Sequence, residues 1–158
     1  MKQLVYRHEF EKAFQVPKRL DVDFEFLSSP LDAIRLWRPL MDCLGFLGLI
    51  KTGLKLATKK RRLYCIMSKG CIAHYGWVSF SFCRYYTVQP GDVVIGPILT
   101  DDRFRGMGFA TVALMQTINQ LILERCRVLW IDTAEDNISC QKVIEKCGFG
   151  QSVLSFEK

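Results

Sequence analysis

An apolar run from Val93 to Thr100, the turn Asp102-Arg103-Phe104-Arg105-Gly106-Met107-Gly108-Phe109-Ala110 and an amphipathic stretch ending near Arg125 follow one another without a break. A strand that passes through glycines straight into a long helix must pack that helix on a sheet, so this unit constrains the fold more than any other. Ala110, Ala113, Leu114, Thr117, Ile118 and Leu121 mark one helix face at the 3.6-residue period. Gly106 and Gly108 let the backbone approach a ligand closely, and the N–H groups that open a helix are unpaired donors at the favourable end of its dipole. Arg103 and Arg105 add positive charge there, so the turn suits a diphosphate.

The flanking sequence extends the same alternation. Asp21 to Leu27 places Val22, Phe24 and Phe26 on one face, the period of a half-buried strand. Ser28-Ser29-Pro30 then supplies a cap and a first-turn proline for a helix carrying Ile34, Trp37, Leu40 and Met41. A second helix is predicted from Leu44 to Ala57, weakened by Gly45, Gly48 and Gly53. Leu63–Met67 and Ile72–Phe82 read as strands joined by the hairpin turn Ser68-Lys69-Gly70. Gly96-Pro97 inside the next strand predicts an edge, a bulge or a splay, because proline donates nothing to a ladder. Val128 to Ile131 is a short buried strand. Asp136 or Asn137 caps a helix that presents Cys140, Val143, Ile144 and Cys147 on one face and ends at Gly148, and a last strand is expected between Phe149 and Phe156. The order is that of a mixed α/β sheet. The first 20 residues show no clear period and are set apart as an N-terminal extension, with residues 21–158 as a single domain.

Composition excludes several classes. At 158 residues with 49% apolar and 24% charged content, the chain reads as one ordinary globular domain. Its 7 cysteines form no CxxC pair and no secretory signal precedes them, which favours reduced thiols in a cytoplasmic protein. His8 and His74 stand apart from any cysteine pair, so no metal is expected. The net charge of +6 is densest at Lys59-Lys60-Arg61-Arg62, which reads as a solvated corner; no nucleic-acid signature accompanies it. Leu44 to Ile50 is bracketed by Asp42 and Lys51, far short of the ~20 residues a spanning helix needs, so membrane insertion is not expected.

Three ligands compete for the glycine turn. A P-loop is excluded, since no Gly-Lys-Ser/Thr follows. A dinucleotide fingerprint fits Gly106-x-Gly108 and an acid, Asp132, ending the next strand; against it, Thr111 holds the third glycine position and residues 133 to 158 are too few for the rest of that fold. The third reading joins the turn to the C-terminal helix. Arg103-x-x-Gly106-x-Gly108, followed by Asn137-Ile138-Ser139-Cys140 and Ile144-Glu145-Lys146-Cys147-Gly148-Phe149, resembles the Gcn5-related N-acetyltransferase (GNAT) superfamily, whose acetyl-CoA motif is R/Q-x-x-G-x-G/A. The resemblance is best from Val93 to Phe149.

The resemblance implies an α/β fold: a mixed, mostly antiparallel sheet with a splayed central strand pair and helices on both faces. It also implies acetyl-CoA as cosubstrate. The N–H groups of Arg105, Gly106, Met107, Gly108, Phe109 and Ala110 would hold the pyrophosphate, with Arg103 beside them. Backbone at Ile98, Leu99 and Thr100 would meet the pantetheine amides, an N–H around Ile98 or Leu99 would stabilise the oxyanion, Asn137 would contact the cofactor arm, and Ser139 or Lys142 its phosphates. Two family features are missing. The tyrosine that often serves as acid is Ile144 here, and no glutamate stands on the strand from Val93 to Thr100.

His74 is the first candidate base, because it lies on a strand beside the expected acceptor groove and an imidazole titrates near neutrality. A hydrogen-bonded structural histidine is the alternative. Tyr85 is the second catalytic candidate, with Tyr86 and Asp92 behind it. The expected activity is acetyl-CoA-dependent N-acetyl transfer to a primary amine of a small molecule, an amino sugar or nucleotide sugar; the Ile-Gly-Pro-Ile-Leu-Thr run looks like relatives associated with polysaccharide biosynthesis. A non-catalytic acyl-CoA-binding module and a protein N-acetyltransferase are the alternatives, and a homodimer is compatible with all three.

Overall fold

The chain runs through β1 (Lys2–Glu9), β2 (Asp23–Leu27), α1 (Pro30–Arg35), α2 (Trp37–Ala57), β3 (Arg61–Ser68), β4 (Cys71–Phe80), β5 (Val93–Thr100), α3 (Phe109–Leu123), β6 (Val128–Ala134), α4 (Ile138–Lys146) and β7 (Leu154–Glu157). The computed structural model describes residues 1–158. All strands join one sheet in the order β2-β3-β4-β5-β6-β1-β7, and every pairing is antiparallel except β5 with β6.

Local chemistry fixes the helix ends. Ser29 accepts from the Asp32 N–H while the Asp32 carboxylate accepts from the Ser29 N–H, a reciprocal cap that starts α1 at Pro30. Asn137 Oδ1 accepts the Cys140 N–H at 3.1 Å and starts α4. The break expected between two helices falls inside α2, where Gly45 takes φ 71° and kinks the axis.

Helices cover both faces. On one side Leu114, Ile118 and Leu121 of α3 and Ile144 of α4 pack on Tyr64, Ile66, Val93, Ile95, Leu129 and Ile131. On the other, Leu40 and Leu56 of α2 pack on Leu63, Cys65 and Trp77. Successive β3 residues therefore feed opposite cores, as the two-residue period requires.

Of residues 1–20, set apart by sequence as an extension, Lys2–Glu9 enter the sheet. β1 lies between β6 and β7 and pairs with both. Its Gln3, Val5 and Tyr6 are buried, so both faces are covered and the strand shows no alternation to read. Phe10 then packs edge-on against Phe149 at 5.2 Å, and the Asn119 amide bonds both the N–H and the carbonyl of Phe14, tying the following segment across α3.

Gly96-Pro97 opens the centre of the sheet. The β4–β5 register shifts between Gly76 and Val78, and β5 pairs with β6 only through Val93–Ile95 against Leu129–Ile131. Of the outcomes expected for this proline, bulge and splay both occur, and β5 is an interior strand rather than an edge.

Candidate active site

A cavity of about 720 Å³ occupies the splay, running from β5 and β6 to the ends of α3 and α4. Pro97, Ile98, Leu99 and Thr100 form one wall, and Asp132, Thr133 and Ala134 of β6 the other. The floor is the glycine turn with Asn137, Ser139, Cys140 and Lys142.

The turn is shaped as a donor cradle. Gly106 and Gly108 both sit in the left-handed region, at φ 76° and 77°, which lets the chain reverse into α3. From Gly106 to Thr111 no backbone N–H has an acceptor within the protein. Such a series of unpaired donors at a helix start calls for an anion.

Arg19, from the segment outside the resemblance, fixes this turn from behind. Its guanidinium donates to the Met107 carbonyl at 2.6 Å, lies 4.6 Å from the Phe109 ring centroid and pairs bidentately with Asp21. Anchoring a carbonyl on that side orients the peptide and directs adjacent N–H groups away from it.

Positive charge reaches the cavity by a different route from the one expected. Arg103 is held by Asp101, which keeps its own carboxyl down to about 2 through that hydrogen bond, and Arg103 lies outside the cavity lining. Arg105 lines the cavity but pairs with Asp102 at 2.7 Å, and Met107 lies outside the lining. Lys142 and Lys146, one turn apart on α4, line the cavity with no ion pair of their own. Sequence reasoning missed Lys146; its i+4 spacing from Lys142 was the available signal. Asn137 both caps α4 and faces the cavity, and Ser139 joins it.

The remaining expected residues divide. His74 lines the cavity at 1% exposure, with Nδ1 2.8 Å from Thr100 Oγ1, Nε2 unpartnered, and burial pulling its pKa down to about 4. It is neutral at physiological pH. Tyr85 lies outside the lining, stacked on Phe156 at 5.2 Å and beneath Lys158, which does line the cavity. Asp92 is buried and accepts from Trp130 Nε1 at 2.8 Å. Ile144 is fully buried in the core between α3 and the sheet, so its position offers the cavity no polar group.

Asp132 was singled out by sequence only as a ribose-binding acid. It stands one residue past Ile131, the last β6 residue paired with β5, and is the sole acidic side chain of the cavity. The Tyr86 hydroxyl donates to its Oδ2 at 3.2 Å. Burial raises its pKa, partly opposed by the Tyr86 hydrogen bond and the charge of Lys158. The cavity thus carries unpaired amides and lysines at one end and one carboxylate at the apex of the splay.

These features define an acyltransferase of the GNAT fold. A family model described as the acetyltransferase (GNAT) family matches residues 48–149, and the chain belongs to that family. The fold is shared with the aminoglycoside N-acetyltransferase AAC(6')-Iy in complex with a bisubstrate analogue, CoA-S-monomethyl-acetylneamine, at 20% identity and TM-score 0.64 over 87% of this chain and 97% of that one. A protein from Clostridium acetobutylicum described as a predicted acetyltransferase, with acetyl-CoA, matches at 19% identity and TM-score 0.58, covering 87% of this chain and 95% of that one. A tandem GNAT protein from the clavulanic acid biosynthesis pathway matches at 14% identity and TM-score 0.67, covering 96% of this chain and 50% of that protein. No curated protein matches the sequence.

Proposed function

We propose that this acetyltransferase moves an acetyl group from acetyl-CoA directly to a primary amine of a small molecule, with amino sugars as the first acceptor class. The observation that carries the reading is the polarity of the cavity: free amides and lysines at the α3–α4 end, a single carboxylate at the splay. Acetyl-CoA supplies an activated thioester and two anionic groups. The N–H groups from Gly106 to Thr111, with Lys142 and Lys146, suit the diphosphate, and the edge of β5 beyond Ile95 that faces β6 without pairing to it suits the amides of the pantetheine arm. Several solved structures of this fold, named as aminoglycoside N-acetyltransferases, hold CoA or a CoA conjugate of an amino sugar, which supports the acceptor class.

In this reading Asp132 attracts the acceptor ammonium and takes its proton, because a partly desolvated carboxylate with a raised pKa is a better base than a solvated one. Tyr86 holds the carboxylate in place. The amine nitrogen then bonds to the acetyl carbon as the carbon–sulfur bond breaks, and the second proton that the nitrogen sheds passes through water to the departing thiolate. With Ile144 in the core, the thiolate leaves without a tyrosine acid, which the ordinary thiol pKa of about 8.5 tolerates. His74 is proposed to fix Thr100 on the cavity wall as a neutral hydrogen-bond partner.

Thiol release from acetyl-CoA is the test, with neamine, glucosamine, a nucleotide amino sugar, spermidine and a short peptide as acceptors. Turnover is expected with the amino sugars, and Asp132→Asn should lower kcat/KM by about 10²–10⁴ with the acetyl-CoA KM unchanged. Thermal stabilisation by acetyl-CoA without turnover on any amine would favour a binding module, the alternative motivated by Ile144.

A further inference from the structure

The second half of α2 carries a surface that lies outside the cavity. After the kink at Gly45, Phe46, Leu47, Ile50 and Leu54 are 62%, 69%, 45% and 66% exposed, while Thr52 and Leu56 face the core. At 100° per residue these four side chains and the exposed Ala57 fall within an arc of about 100°, and the span from Phe46 to Ala57 is about 16 Å long. Lys51 and Lys55 lie about 40° and 80° outside one edge of that arc, the Lys55 ammonium 4.5 Å over the Trp77 ring, and Lys59 and Lys60 follow past the helix end.

From Gly45 to the start of β3 the charged side chains are all basic. No aspartate or glutamate occurs between Asp42 and Asp92. Lys51, Lys55, Lys59, Lys60 and Arg61 make no ion pair in the structure. Burial lowers the Lys55 pKa, and the charges of Arg61 and Lys51 lower it further, the mark of a basic cluster without a counter-anion. A second copy of the stripe would set these lysines against one another with no acid to oppose them, whereas an anionic lipid surface answers both the apolar arc and its basic border.

We propose that α2 is a peripheral membrane-docking helix that lays Phe46, Leu47, Ile50 and Leu54 among the acyl chains of an anionic bilayer, with Lys51, Lys55, Lys59 and Lys60 at its headgroups. The helix lies on the surface; no helix of the protein is long and apolar enough to cross a membrane. Docking is separate from the acetyl-CoA cavity and stands independently of the acceptor amine.

Co-sedimentation of the full chain with extruded vesicles tests it, comparing phosphatidylcholine alone with a 70:30 mixture containing phosphatidylglycerol (~0.05 and ~0.5 M salt). Partition to the anionic vesicles should exceed that to neutral ones by at least about tenfold at low salt and fall at high salt. The double variant Leu47→Gln/Leu54→Gln and, separately, Lys51→Gln/Lys55→Gln/Lys59→Gln/Lys60→Gln should each lose at least about tenfold. Melting temperature and acetyl-CoA-induced stabilisation report that each variant is folded, and the two sets serve as independent checks. Partition that is absent, indifferent to lipid charge or unchanged in the folded variants overturns the proposal. So does a solution dimer that the leucine variant dissociates, which would assign the stripe to a second copy.

Discussion

His74 shows how far burial can move a residue from the role its side-chain chemistry suggests. An exposed imidazole titrates near 6.5, but here desolvation holds it near 4, because the charged form has lost water and gained no anion. The folded state therefore binds fewer protons than the unfolded state between about pH 4 and 6.5, and stability rises with pH across that window. Its contribution is fully present above the unfolded pKa and is lost as pH falls toward 4. Replacing His74 by Gln should flatten this slope, worth on the order of 3 kcal/mol at most, in urea unfolding measured at pH 4.5, 5.5 and 7. An unchanged slope would show that other groups carry it. Tyr64 beside it, also buried with an unpartnered hydroxyl, leaves no room over Gly76, where an added Cβ would collide with the ring.

Among the elements, the glycine turn depends on a contact that lies outside its own sequence. Motif residues supply the donors, yet Arg19, far away along the chain, grips the Met107 carbonyl and covers Phe109. Arg19→Ala should weaken acetyl-CoA binding about 5- to 30-fold by calorimetry while leaving the acceptor KM within twofold (about one to two kcal/mol, the size of one hydrogen bond). An equal loss for acceptor would place Arg19's effect in overall stability instead. The strand–turn–helix unit was legible because glycine spacing, cap residues and the 3.6-residue period are local signals. Arg19 was not, since a side chain that reaches over 88 positions leaves no pattern at its own site. Asp132 was visible as an acid ending a strand, but its distinction as the cavity's lone carboxylate depends on where β5 and β6 part.

For the whole molecule, the decisive element is β1. It is the strand that joins β6 to β7, and without it β6 has an open edge and the short, exposed β7 has no partner. A chain lacking residues 1–9 should lose its cooperative thermal transition and its response to acetyl-CoA; a folded, cofactor-responsive truncation would show the remaining sheet to be self-sufficient. Sequence by itself determined the α/β alternation, the caps at Ser29 and Asn137, the interruption at Gly96-Pro97 and the anion-binding character of the turn, because each rests on interactions between residues close in the chain. Only the tertiary structure decided that β1 belongs inside the sheet, that His74 is neutral and Asp132 stands at the splay, and that the cavity's unpaired cations include Lys142, Lys146 and Lys158 but not Arg103. Those properties are set by solvent exclusion and by partners distant in the chain, and neither is written in local periodicity.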